Sequence, residues 1–350
     1  MRVQKRVRVL QIGVGLLSML IILGLSIISC KREKKNEGPD LNDIYGAFSL
    51  LEEFKADRTN VDFSAGETVQ FTARFSAISD WVITINSTNT GSTKTINGRS
   101  NILDVSNAVW DGTTTQFPSF STGPCNVELF IKNDTSQGSS GSTYDLLVTV
   151  DGVRTPTGTV VADFETGINP DWIVFKQSGA DMSFVTVDTG LAPQGDFYYD
   201  MAGEVDWDYL IGYVDFPASA YGASGFDLGN NANSSYFNVL LNTPKGINNS
   251  IVLFQFKEDE NGNGSFNESN EDMYSLELKG LEEGWQVVSI KYADLVSLTN
   301  GAPSTPKGNG VHNPDKLHTI SCLFLADPAT GYSRTLMDYI IFTKDEALKL

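Results

Sequence analysis

Thr68-Val69-Gln70-Phe71-Thr72-Ala73-Arg74-Phe75 decides the fold, because Val69, Phe71, Ala73 and Phe75 alternate with Thr68, Gln70, Thr72 and Arg74. A period of two puts the apolar set on one face of a strand and the polar set on the other, which describes a sheet with one dry side. The pattern recurs outward from this run. Trp81, Ile83 and Ile85 alternate with Val82, Thr84 and Asn86, and Val127-Leu129-Ile131 and Tyr144-Leu146-Val148-Val150 follow. Farther on come Tyr236 to Leu241, Ile251 to Lys257, Trp285 to Tyr292, Ile320 to Leu325 and Leu336 to Phe342. Clusters of Gly, Ser, Asn and Thr, such as Thr135 to Ser142, separate these runs, and no helical periodicity exceeds two turns. Short alternating runs with turn signals between them predict an all-β chain of antiparallel sandwiches.

The 350 residues leave room for two domains. Gly152, Pro156 and Gly158 mark the break, giving a sandwich of immunoglobulin size over 44–151, a linker over 152–159 and a larger region over 160–350. The length of that last region suits a jelly roll of about eight to ten strands.

Net charge is −18. The first 29 residues hold Arg2, Lys5, Arg6 and Arg8 and no acid, so residues 30–350 carry 43 acids against 21 bases. A surface that acidic repels phosphate backbones and argues against nucleic-acid binding. Three cysteines and two histidines, with no CxxC, offer little to a structural zinc site, and no phosphate-cradling glycine motif follows a strand. Cys125 and Cys322, in different expected domains, read as small buried hydrophobes rather than a disulfide.

The chain opens with a basic stretch, Met1 to Arg8, and an apolar one, Val9 to Ser29, then Ile27-Ile28-Ser29-Cys30 and the polar run Lys31 to Lys35. This resembles the signal peptide and lipobox of bacterial lipoproteins. The resemblance implies that 1–29 is a leader, that Cys30 is lipidated and becomes the mature N-terminus, and that 30–43, with Gly38-Pro39, is a tether. A plain membrane-spanning anchor is long enough but leaves Cys30 unexplained. Lys31 stands where an inner-membrane retention signal would have Asp, so the expected location is the outer membrane, facing the cell surface.

Two further resemblances concern the body of the chain. Phe63-Ser64-Ala65-Gly66-Glu67-Thr68-Val69-Gln70-Phe71 is similar to the opening of PKD and other bacterial Ig-like domains, which makes Trp81 a core residue. Val161-Ala162-Asp163-Phe164-Glu165, Gly284-Trp285 through Asp294-Leu295, and Leu336-Met337-Asp338-Tyr339-Ile340-Ile341-Phe342 together resemble carbohydrate-binding modules of the galactose-binding-like jelly-roll type. That resemblance implies that the first and last strands lie side by side and that Glu165 and Asp338, with Asp163 as helper, hold a structural Ca²⁺ through hard oxygen ligands.

A second calcium candidate comes from the residues alone. Asp259-Glu260-Asn261-Gly262-Asn263-Gly264 satisfies D-x-[DN]-x-[DN]-G, setting Asp259, Asn261 and Asn263 around one point at a glycine turn. The twelfth position of such a loop is Asn270, with Glu271 one residue later, and the flanks are strand-like.

Glycans are held by aromatic rings stacked on sugar faces and by a few polar groups taking hydroxyls. The densest aromatic and acidic cluster runs from Phe197 to Tyr209. Trp207, between Asp206 and Asp208, is the first platform candidate and Trp172, after Asn169-Pro170, the second; Tyr199, Tyr209 and Asp208 accompany them. Trp285 begins a strand and reads as core. Alternation leaves Asn238 opposite Phe237 and Val239, and Gln255 opposite Phe254 and Phe256, so both are expected on an exposed concave face.

The leading expectation is a non-enzymatic, lipid-anchored surface protein that captures polysaccharide or oligosaccharide for uptake or degradation. The resemblance implies partnership with a TonB-dependent importer and a SusD-like lipoprotein. One alternative is a jelly-roll hydrolase or lyase, since Glu204-Val205-Asp206-Trp207-Asp208-Tyr209 comes close to the E-x-D-x-x-E strand of laminarinase-like enzymes but lacks its final Glu. The other is a structural or adhesive protein whose jelly roll binds protein.

Overall fold

A computed structural model describes residues 48–350 except 133, 135–139, 179–181, 189–191, 206–207 and 328–330. Cys30 and the leader and tether expected around it lie outside the described residues. No helix among the described residues is long and apolar enough to cross a membrane.

The alternation read from the sequence is the alternation of burial. In the first region β1 (Leu50–Ala56), β2 (Asn60–Asp62), β3 (Val69–Ser87), β4 (Thr93–Leu103), β5 (Val109–Trp110), β6 (Gly123–Ile131) and β7 (Ser142–Gly152) form one seven-stranded sheet. Its spine is β3, whose Val69, Phe71, Ala73, Phe75, Trp81, Ile83 and Ile85 are all buried. β1 pairs with the first half of β3 and β6 with the second. β4 follows β3 across a register shift between Arg74 and Ser79, an irregularity that lets so long a strand change direction. Trp81 is 1% exposed, and its indole N–H donates to Ser100 Oγ at 2.9 Å, so the ring is buried without orphaning its donor.

The second region contains β8 (Thr159–Ala162), β9 (Ile173–Lys176), β10 (Met182–Asp188), β11 (Phe197–Gly203), β12 (Leu210–Pro217), β13 (Ser235–Thr243), β14 (Ser250–Glu258), β15 (Met273–Lys279), β16 (Gly284–Lys291), β17 (Leu298–Thr299), β18 (Ala302–Pro303), β19 (Leu317–Ala326) and β20 (Ser333–Lys344). One sheet runs β10-β11-β20-β13-β16, with β8 also on β20; the other runs β15-β14-β19-β12-β9. Tyr199, Met201, Phe237, Val239, Leu241, Met337, Ile340 and Phe342 from the first sheet meet Val214, Phe216, Val252, Phe254, Phe256, Ile320, Cys322 and Phe324 from the second in one continuous core. Two antiparallel sheets sealed around a shared apolar layer make the expected jelly-roll sandwich. By contacts, Leu50–Leu350 is a single compact unit. Cys125 and Cys322 are both buried and free, and burial pushes the Cys125 thiol up to about 11.

The opening and closing strands do lie together: β8 pairs antiparallel with β20, Ala162 opposite Ile340. Against β13, β20 carries an extra residue between Asp338 and Ile341, and Tyr339 there has φ 44°. This bulge turns Asp338 and Tyr339 to the same outer side while Met337 and Ile340 stay in the core.

Candidate functional site

The sandwich has two outer faces. That of the six-stranded sheet is covered. Leu240, Tyr339, Ile341 and Leu348 form a separate buried cluster on it, with Phe117, Trp285 and Leu350 packed alongside. The chain after β20 folds back across it: Leu348 N–H donates to Asn238 Oδ1 at 2.9 Å, and Thr114 N–H donates to the Leu350 carbonyl at 2.5 Å. Among the described residues the outer face of the five-stranded sheet carries no such lid, and a candidate site is built on it.

Register assembles that face from five strands. Phe175 (β9), Tyr213 (β12), Leu323 (β19), Leu253 (β14) and Glu277 (β15) stand opposite one another in one row. Ile173, Asp215, Ser321, Gln255 and Ser275 form the next. At a strand spacing of about 4.8 Å, five strands make each row about 19 Å long, enough for a short oligosaccharide. At the β9 end the rings of Phe175 and Tyr213 stack, with centroids 5.2 Å apart and planes 25° from parallel. Phe175 is 37% exposed and Ile173 54%. A pair of rings held side by side in water is an apolar shelf at which a sugar's C–H face can stack.

Polar groups line the rest. Lys257 Nζ lies 3.7 Å from Asp215 Oδ2, and Lys279 Nζ lies 3.0 Å from Glu277 Oε2. Asp215 Oδ1, Ser321 Oγ and Ser275 Oγ are sheltered and have no hydrogen-bond partner. All three atoms are buried, so the polar side chains this face offers to solvent are Gln255, Lys257, Glu277 and Lys279.

At the β15 end the face is walled. Ser275 and Val296 pair by an isolated antiparallel bridge, and the hairpin β17–β18 rises from there. Its turn is Asn300-Gly301, with φ 52° and 73°. Two positive φ values in a two-residue loop are what a tight hairpin asks for, and Asn-Gly tolerates them best. Between hairpin and sheet lies a cavity of about 190 Å³, with Gln255 and Met273 from the sheet and Ser297, Thr299, Asn300 and Ser304 from the loop among its lining.

The candidates read from the sequence fall in several places. Gln255 is on this face, half-buried, in the middle of the polar row. Asn238 is not: it belongs to the other sheet and is 0% exposed. Its amide donates to the carbonyls of Tyr236 and Ile341 and to Thr343 Oγ1, while its oxygen accepts from Ser289 Oγ and Leu348 N–H. The alternation was correct, but β13 and β14 lie in opposite sheets, so Asn238 and Gln255 cannot share a face. Tyr199 is a second correction. It is 0% exposed, stacked 5.3 Å from Phe164 and edge-on to Phe184, because its side of β11 faces the core.

Trp172 is half-buried at the rim of that core, edge-on to Phe216 at 4.9 Å and to Phe164 at 5.7 Å, its indole N–H donating to Tyr221 Oη at 3.0 Å. Its ring packs inward more than it faces water. Tyr209 is 58% exposed at the entry to β12, and Asp208 beside it accepts from Gln177 Nε2 at 3.1 Å. Trp207 lies outside the described residues. Trp285, expected in the core, is half-buried on the covered outer face, edge-on to Tyr198 at 5.8 Å. Phe175 and Tyr213 were not singled out by sequence reasoning. The signal for Tyr213 was the alternation of Tyr213 and Asp215 with Val214 and Phe216.

The carboxylates with a calcium expectation are placed as follows. Glu165 accepts from the backbone N–H groups of Asp196 and Phe197, and Asp338 from those of Gln194 and Tyr339. Burial pushes Asp338 up to about 9, and the nearby charges of Glu165 and Asp163 add to the shift. Asp163 accepts from Glu165 N–H. In the β14–β15 loop Asp259 accepts from the N–H groups of Gly262, Asn263 and Gly264, while Asn261 donates to Glu271. A third set went unremarked in the sequence: oxygens of Glu258, Glu260 and Asp272 lie within 4.8 Å of one another. Glu258 is pushed up to about 7, chiefly by burial and further by Asp272, against the pull of Asn313 and the Tyr292 hydroxyl. These are hard oxygen donors of the kind Ca²⁺ takes, and at all three places backbone or side-chain donors already hold the carboxylates.

No family model matches the sequence, and no curated protein is similar enough to count as a relative. Among solved structures the chain is similar to a carbohydrate-binding module of the β-sandwich superfamily, at 12% identity and a TM-score of 0.36, over 85% of this chain and 98% of that one. It is also similar to the family 11 carbohydrate-binding module of Clostridium thermocellum, solved with a β-1,3-1,4-mixed-linked tetrasaccharide, at 16% identity and a TM-score of 0.36, over 56% and 100%. A third is a module specific for non-crystalline cellulose, at 16% and 0.32, over 53% and 95%. The sandwich described above stands on its own strand pairings.

Proposed function

We propose that this chain is a glycan-binding protein and that the outer face of the five-stranded sheet is its binding platform. One observation carries the reading: the solvent-facing Phe175–Tyr213 stack is continuous, across register-matched strands, with a polar row in which Gln255 is half-exposed. Apolar shelf beside placed polar groups is the division of labour a sugar needs.

The ligand is a neutral polysaccharide or oligosaccharide. Each lysine of the platform is already beside an acid, Lys257 with Asp215, Lys279 with Glu277 and Lys307 with Glu268, so a polyanion finds no spare charge to meet. We read the chain as a binder rather than a hydrolase. Of the carboxylates a hydrolase would use, Glu204 is exposed just past β11, Asp208 is held by Gln177, and Asp206 lies outside the described residues.

The wider setting belongs to the same proposal and is supported by the sequence. A lipid on Cys30 anchors the protein to the outer membrane, the seven-stranded sheet spaces the jelly roll from it, and captured glycan passes to a TonB-dependent importer with a SusD-like partner. Calcium on Glu165, Asp338 and Asp163, and on Asp259, Asn261 and Asn263, stiffens the loops; a fall in thermal midpoint on adding EDTA, reversed by Ca²⁺, tests it.

Electrophoresis of the full chain through native gels containing neutral glucans, mannans or xylans tests the main claim. At least one polymer retards the protein, and Tyr213→Ala abolishes the retardation with the fold intact. Free migration in every gel overturns the reading.

A further inference from the structure

We infer that the platform takes glycan chains by an end, with the terminal sugar seated in the cavity beneath the β17–β18 hairpin. This rests on the platform reading and adds to it which part of a polymer is recognised.

The argument begins with the asymmetry of the face. At its β9 edge nothing among the described residues stands above the rows, where Ile173 and Phe175 are open to solvent. At the other edge the hairpin rises from the Ser275–Val296 bridge, and its turn reaches back over the sheet until the Gly301 position faces Glu277 Oε1. A chain lying along the rows from the aromatic pair past Gln255 therefore runs into a wall. It cannot continue past β15 as it can past β9.

The wall is hollow, and Gln255 belongs to both the polar row and the cavity. Pockets for drug-sized ligands run to roughly 300–1,000 Å³. The cavity measures about 190 Å³, which suits one pyranose ring and not a chain. Its chemistry also suits a sugar. Ser297, Thr299, Asn300, Ser304, Thr305 and Gln255 offer neutral donors and acceptors, while Met273 and Leu298 give an apolar side. Its one lysine, Lys307, sits 3.4 Å from Glu268 Oε1, and Glu271 is held by Asn261 and by Asn267 N–H, so no cation in the lining is left unpaired. A hairpin whose Asn-Gly turn already has the φ values it needs is fixed before the ligand arrives, which favours a rigid end-stop over a flap.

Stoichiometry against chain length is the test. The full chain is titrated with cello-, laminari-, malto- and manno-oligosaccharides of increasing length, and the protein bound per glycan molecule is measured by calorimetry and light scattering. One copy per chain at every length is expected. Ser304→Trp, which fills the cavity, weakens binding by about tenfold or more, and Ser304→Ala leaves it within a few-fold. Copies per chain that rise with length, together with unchanged binding by Ser304→Trp, overturn the end-stop and leave the platform standing. If no oligosaccharide binds at all, the platform and the end-stop fall together.

Discussion

The two outer faces of the jelly roll are made by the same rule and end in opposite states. On the six-stranded sheet Asn238 projects outward as alternation demands, yet it is 0% exposed and makes five hydrogen bonds. On the five-stranded sheet Gln255 projects outward by the same rule and stays half-open. What differs is what lies on top: Leu348, Leu350 and Phe117 cover one face, and nothing comparable among the described residues covers the rows of the other. A covered polar side chain serves the structure, and an open one is free to meet a ligand.

That contrast can be broken most directly at Asn238. Asn238→Ala strands the Leu348 N–H and the Ser289 hydroxyl in a buried site, and should lower unfolding free energy by about 3–5 kcal/mol, read from a urea titration. A loss under about 1 kcal/mol would mean that the covered face is open in solution. The matching change on the open face, Tyr213→Ala, should cost about 1–3 kcal/mol of glycan affinity and under about 1 kcal/mol of stability, measured by calorimetry and melting. Equal losses of both would make Tyr213 a structural residue.

Asp338 gives the contrast a pH dependence. Its folded-state value of about 9 lies above that of an unfolded Asp, so the folded protein holds the proton more tightly. Its contribution to stability is full below about pH 4 and is lost as pH rises through about 9. In EDTA, Asp338→Asn should flatten that part of the stability curve; an unchanged slope assigns the effect elsewhere. The smallest effect is expected from Gln255→Ala, a few-fold loss of affinity with melting temperature unmoved. A large drop in melting temperature would place Gln255 with Asn238 rather than apart from it.

Much of the fold was legible in the sequence because alternation is a local signal. Val69 to Phe75, Phe237 to Leu241 and Val252 to Phe256 each bury the face their spacing specifies. The site was less legible, since period two says which side of a strand is wet without saying which sheet the strand joins. Asn238 and Gln255 therefore looked equivalent. Tyr199 stood in an aromatic run that resembled a platform, but β11 turns that side chain inward against Phe164. Tyr213 and Phe175 are distant in sequence and meet only because β9 and β12 are neighbours.

The position of β20 has a consequence for how the molecule comes into being. This strand, Ser333–Lys344, pairs with β8, β11 and β13, so the middle of one sheet is supplied by a strand that follows all its partners in the chain. Until it arrives, β8 has no partner, and the pairs β10–β11 and β13–β16 are two separate ribbons with open edges. Long-range pairing of this kind slows folding and exposes sticky edges while it is pending. A nascent chain shortened before Ser333 would be a substrate for chaperones and proteases, not a smaller working module.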